Sequence, residues 1–446
     1  HATDRDGRDI RFEFDDLYQL TREVWLNASD QDIREFVYTY DTVGNLLSVA
    51  DNFIDHATQA RTTASDTLQF VYDDLDQLQL ERSVNPLVGV STVLDRDYDL
   101  RGLETALKAN LGGVIVGDSV SGGVKDFVNQ YAHDVLGRLT SVTQASQSGG
   151  NSVAPKLATF QYDAANQLTD LRRYSSTSAY STYLEVHSRF GYDGAGRLQS
   201  ITHSKAEIAA GQMWNGTSTL PSSLQNGNLL AGYYLAYDQD NRLTGWSSYA
   251  DAFKTTYAYD NRDQVTGATH TAIAGLTLPR ALPAAESYAF DGTGNRNLAG
   301  GSSSSADGSF NQVQNDGTYT YDYDAEGNQI RRTSIATGAV TEYEFDYRNR
   351  LVKVTERASA GGAATKIVTF QYDAFDRRTG KQLDSDANGT IDRREAWVWD
   401  GQQVVLQLVD ADGAGSAPWK LTNRYLYGTS WTWSWPTSNC RVAGSD

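Results

Sequence analysis

The chain of 446 residues has one cysteine, Cys440, one methionine and only 7 prolines. A single cysteine excludes an intramolecular disulfide and any multi-cysteine metal site. No run of about 18 apolar residues occurs, which excludes a membrane-spanning helix. The start, His1 to Arg11, is polar and charged and does not read as a signal peptide. Glutamate is scarce as well. Of 56 acidic residues, 13 are Glu and 43 are Asp. Glu suits helices, whereas the short Asp carboxylate bonds nearby backbone N–H groups in turns and caps. With 39 Gly and 26 Tyr, this balance speaks for turns and strands and against a helical bundle. The net charge of −18 repels phosphate backbones, so nucleic acid is not an expected partner, while cations remain open.

One short pattern recurs: an aromatic, Asp, two variable residues, a Gly, Asn or Asp, a polar residue, then an aliphatic. Examples are Tyr40-Asp41…Gly44-Asn45-Leu46, Tyr162-Asp163…Asn166-Gln167-Leu168 and Tyr237-Asp238…Asn241-Arg242-Leu243. Fourteen copies run from Phe14-Asp15 to Trp399-Asp400, 22 to 45 residues apart, with His133 once replacing the aromatic. The residue two before the aromatic is itself aromatic in 12 of the 14, which puts both rings on one strand face. The Asp ends the strand, and the slot three residues later holds Gly, Asn or Asp, which tolerate a left-handed backbone. The unit is a β-hairpin, and a period near 30 belongs to repeat arrays. Tyr18 and Gln403 fill the glycine slot in the first and last copies, as expected of atypical terminal repeats.

These residues resemble the YD-repeat, or Rhs-repeat, family over about Phe12 to Trp399. The resemblance implies an all-β array of hairpins forming a curved or spiral, shell-like sheet. It also implies a secreted or cell-surface bacterial protein whose shell encloses a toxin polypeptide as cargo. The array is expected over 1–403, followed by a divergent, Trp-rich tail over 404–446. Arg424-Tyr-Leu-Tyr-Gly428 resembles the start of the family's self-cleaving core, but the sequence after it does not match that core. Trp431, Trp433 and Trp435 alternate there instead.

Breaks in the rhythm mark longer loops at Leu103 to Lys125, which has two Gly-Gly pairs, and at Ser204 to Gly232. The sharpest chemical motif is Asp384 to Glu395, which fits the twelve-residue calcium-loop pattern. Asp384, Asp386 and Asn388 supply side-chain oxygens and Thr390 a backbone carbonyl. Asp392 would contribute through water, and Glu395 would close the site from both oxygens. Flanking stretches read as strands, so calcium is expected in a structural role. Enzyme signatures are sparse. Gly117-Asp-Ser119-Val-Ser121 is half a nucleophile elbow and reads as a polar loop. Glu342, Glu344 and Asp346, like Asp95, Asp97 and Asp99, alternate along a strand, the spacing that glycoside hydrolysis needs. Alternating acids are also the ordinary solvent face of a strand. The chain therefore reads as a non-catalytic scaffold or binding module, with a protein that binds a polysaccharide on its concave face, or cleaves it through Glu342 and Glu344, as the alternative.

Overall fold

The computed structural model describes residues 2–27, 29–54, 66–292, 294, 296–297, 312–413, 415 and 418–427. Among these, regular structure is antiparallel β apart from two three-residue 3-10 turns, Ser181–Tyr183 and Ser222–Leu224. The chain forms two compact units. One comprises His1–Asn129, Ser146–Ser152 and Ser304–Asp446; the other comprises Gln130–Ala145 and Val153–Ser303.

Most of the described repeats fold the same way, and Asp41 shows why. Its N–H donates to Asn45 O at 3.0 Å, while Oδ1 accepts the N–H groups of Val43, Gly44 and Asn45. The short carboxylate thereby satisfies the backbone donors of the turn. The third residue after Asp is left-handed, as at Gly44 (φ 102°), Asn166 (φ 63°) and Asp376 (φ 63°). The aromatic before Asp sits at a register shift: Thr39 pairs with Ser48, but Tyr40 pairs with Leu46. This bulge directs the Tyr40 hydroxyl to Leu20 O of the preceding hairpin at 2.9 Å. Tyr98, Tyr162, Tyr192, Tyr237, Tyr259 and Tyr372 make the same bond to a leucine carbonyl one hairpin back. The repeat tyrosine is thus a strand-face ring and a tie between hairpins.

The last copy differs from the expected pattern. Asp400 pairs with Gln403 across a two-residue turn in which Gly401, not Gln403, is left-handed (φ 53°). Gly401 lets the chain reverse in two residues, which leaves the Asp400 carboxylate free of turn duty.

In the first unit, strands from Ala2–Thr3 through Glu104–Leu111 each pair with the next. A second sheet of nine strands runs from Tyr319–Tyr323 to Lys420–Arg424. Strands therefore continue past residue 403 through Gln403–Asp410 and Lys420–Arg424, and the Trp-rich segment 428–446 lies outside the described residues. The two sheets meet over a core of Trp25, Phe36, Val49, Leu68, Phe70 and Ala374. Turn residues of the second sheet dock on the first: Tyr347 stacks on Trp25 at 5.2 Å and 11°, and its hydroxyl donates to Leu26 O. Arg348 Nη2 donates to Glu23 Oε2 at 2.7 Å, and its guanidinium lies 4.3 Å from the Phe36 ring centroid.

The second unit carries strands from Leu139–Ser146 to Glu286–Ser287, consecutive partners throughout. The long loop after Ser204 packs its own core, with Ile208, Trp214 and Leu224 buried against Leu229 and Ile273. Buried His187 anchors it: Nδ1 accepts the Ile208 N–H at 2.9 Å, and Nε2 lies 2.7 Å from Asp170 Oδ1.

Candidate functional site

Three sets of residues carry chemistry. The first is the residue after the left-handed slot, which the repeat pattern reads only as polar. Arg197 Nε bonds Asp193 Oδ2 of its own turn at 2.7 Å, and Nη1 donates to Asp238 O and Asn241 Oδ1 of the next turn, both at 2.9 Å. Its guanidinium also covers the Tyr237 ring at 4.7 Å. Arg138 and Arg242 repeat this clasp onto Asn166 and Asp263, and Arg350 onto Asp373 O and Asp376. Asn45 and Gln167 do so with amides, onto Asp76 and Gly196 O. The Arg197 side chain, then the N–H groups of Arg197 and Ala195, hold the Asp193 carboxyl below its usual range. The spacing places these residues at each turn, but the partner lies on the next turn, 21 to 44 residues away, so a local motif does not reveal the clasp.

The second set is the acidic loop. Asp384, Asp386 and Asp392 come together, with one oxygen of each within 4.8 Å of the others. The loop is folded on its own backbone: Asn388 and Gly389 donate N–H groups to Asp384, and Thr390 donates to Asn388 Oδ1. Asn388 Nδ2 also bonds Asp386 Oδ2, and Ser385 bonds Asp392 through its N–H. The Ser385 side chain, then its backbone N–H, lower the Asp392 pKa, so this carboxylate stays ionised. Glu395 stands apart on the strand Arg393–Asp400, where its oxygens accept from Arg393 Nε and Gln407 Nε2. Three hard oxygen donors on a short turn suit a hard divalent cation such as calcium.

The third set is the alternating carboxylates. Glu342 is held by Arg357 at 2.8 Å and Glu344 by Lys353 at 2.8 Å. Arg357 depresses the Glu342 pKa, the opposite of what a proton donor to a glycosidic oxygen requires. Asp346 does not share their face: it turns into its own hairpin and bonds Arg350, both side chains buried. Likewise Asp99 is a turn residue bonded to Arg101, while Asp95 and Asp97 share Lys108 at 3.4 and 2.8 Å. In both triplets the third acid closes the repeat turn, so only the first two lie along the strand.

The family described as Teneurin YD-shell matches residues 223–390. Probable deoxyribonuclease RhsA of Dickeya dadantii (strain 3937) is 24% identical over 307 residues, 64% of this chain and 15% of that protein. The crystal structure of TcdB2-TccC3 without its hypervariable C-terminal region superposes with a TM-score of 0.51. It does so at 12% identity, over 95% of this chain and 20% of that one. The chain is similar to YD-repeat shell proteins. A second relative, probable deoxyribonuclease RhsB of the same organism, is 34% identical over 95 residues, 21% of the chain and 6% of that protein. The chain therefore spans a small part of the length of the curated relatives it matches. Among the described residues, no helix is long and apolar enough to cross a membrane.

Proposed function

We propose that this chain is a non-catalytic wall segment of a shell that encloses a cargo polypeptide, within a secreted or cell-surface bacterial protein. The observation that carries this reading is the clasp from turn to turn. It makes each hairpin a structural neighbour of the next and uses the polar groups of the turns for holding rather than for chemistry. In the full-length protein, cargo should resist protease while the wall is intact. Breaking the Arg348–Glu23 pair with Arg348→Met should expose it. Equal digestion of cargo in both proteins would refute an enclosing role.

The acidic loop is proposed as a structural calcium site built on Asp384, Asp386 and Asp392, with Asn388 and the Thr390 carbonyl completing it. Titration with calcium alone should give saturable heat in the wild type and none in Asp386→Ala/Asp392→Ala. Heat retained in that variant overturns the site.

A further inference from the structure

Where the two sheets of the first unit meet, two arginines face four carboxylates. Arg96 Nη2 donates to Glu81 Oε2 at 2.9 Å and to Asp400 Oδ1 at 2.5 Å. Arg377 Nε donates to Asp373 Oδ2 at 2.6 Å, and its Nη2 reaches Glu81 Oε1 at 3.4 Å. Arg96, Glu81, Arg377 and Asp373 are all buried. Glu104 is the fourth acid, paired in register with Tyr98. Its Oε1 is buried without a hydrogen-bond partner, and so is Arg96 Nη1. The charged and titratable groups acting on Glu104 and Tyr98 are Asp400 from the second sheet, Arg96 from the adjoining strand, and Asp73 from the preceding turn.

Position 104 is itself anomalous. It is the fifth residue after the repeat Asp, a slot filled by Leu20, Leu46, Leu78, Leu139, Leu168, Leu198, Leu243 and Leu351 in other copies. No other copy has an acid there. An acid stands where most copies place leucine, in the hairpin whose Arg96 bonds the Asp400 carboxylate.

We propose that Glu104 is a proton-operated latch on the seam between these two sheets. Protonated, it leaves Arg96 to serve Glu81 and Asp400, and the seam is held. Ionised, it places a half-buried charge, its Oε1 enclosed without a partner, in the repulsive field of Asp400 and loosens the contact. Burial first, and then repulsion from Asp400, push the Glu104 carboxyl up to about 7, with Arg96 opposing. The folded value lies above the ordinary 4.5, so the folded state binds the extra proton. Stability from this group is therefore full below about 4.5, falls as pH rises through the folded value, and is gone above it. Within that window the folding equilibrium should weaken by up to about tenfold per pH unit.

The test compares urea midpoints from pH 5 to 8 for wild type, Glu104→Gln and Glu104→Leu. Both variants lack the titrating group. The difference between wild type and each variant should widen steadily to pH 7 and then level off. A pH-independent difference overturns the latch. Carboxyl-labelled glutamate in the folded wild type gives an independent reading by carbon NMR. One of the 13 glutamates should titrate near neutrality and vanish in Glu104→Gln. The absence of such a resonance overturns the proposal even if a variant fails to fold.

Discussion

Arg348→Met is the most informative single change to the docked turn. Arg348 is 16% exposed and Glu23 7% at their side chains, and the two meet through two bonds of 3.1 and 2.7 Å. The guanidinium also donates to Ala374 O at 2.7 Å and reaches the Tyr38 hydroxyl at 3.2 Å. Methionine keeps the apolar stem beside Phe36 but removes every one of these donors. Glu23 then retains only the Trp25 indole N–H, at 2.7 Å, as a buried partner. Breaking a buried pair at one end costs about 3–5 kcal/mol, because an uncompensated charge remains. Loss of the cation–ring contact adds about 0.5–1 kcal/mol. The double change Glu23→Gln/Arg348→Met removes the stranded charge and should recover most of that loss. Urea denaturation of the four proteins in a double-mutant cycle reads the coupling directly. A single-variant cost below about 1 kcal/mol, or a double variant equal to the sum of the singles, refutes the view that this pair locks the sheets.

Other outcomes follow from the repeat itself. Asn166, at φ 63°, should lose about 1–2 kcal/mol more on change to Ala than on change to Gly, since both lose the Arg138 bond and only Ala strains the backbone, measured by thermal melting. Fully buried Trp214 should cost about 3–5 kcal/mol on truncation to Ala, with the loop after Ser204 losing its protection against protease. The carboxyls of Asp41, Asp99, Asp134, Asp193 and Asp238 lie below their ordinary value of 3.8. Depressed acids stabilise the fold above that ordinary value and lose the effect as pH falls through the folded one. Melting temperature should therefore drop below about pH 4, with Asp193→Asn flattening part of that limb. A metal chelator should lower the melting temperature of the wild type and leave Asp386→Ala/Asp392→Ala unchanged.

The hairpins were legible because one short motif specifies strand, bulge-bearing aromatic, turn and return strand within a dozen residues. The bond from Tyr40 to Leu20 was not, because the motif places the ring on a face and says nothing of what its hydroxyl meets. The two variable residues after each Asp concealed more. In Tyr347-Arg348 and Ala374-Phe375 they are the contacts that bind one sheet to the other, and nothing in the repeat separates them from solvent-facing Leu17 or Val43. The calcium-loop spacing runs through three aspartates that cluster, while strand pairing holds Glu395 elsewhere, since Lys381 faces it across the ladder. Asp400 shows the converse: a residue matching the motif is released from its turn because Gly401 permits a tighter one.

The clasp from each turn to the next has a mechanical meaning. Within the second unit, a rim stitched by Arg138, Gln167, Arg197 and Arg242 passes tension along successive links, as a zip does, with no single nucleus bearing the load. Pulled from one end, such a strip should give way one tooth at a time. Each step would release one repeat of about 30 residues, roughly 100 Å of extended chain. A sheet built this way opens by peeling along its rim, and later hairpins stay intact until their turn comes.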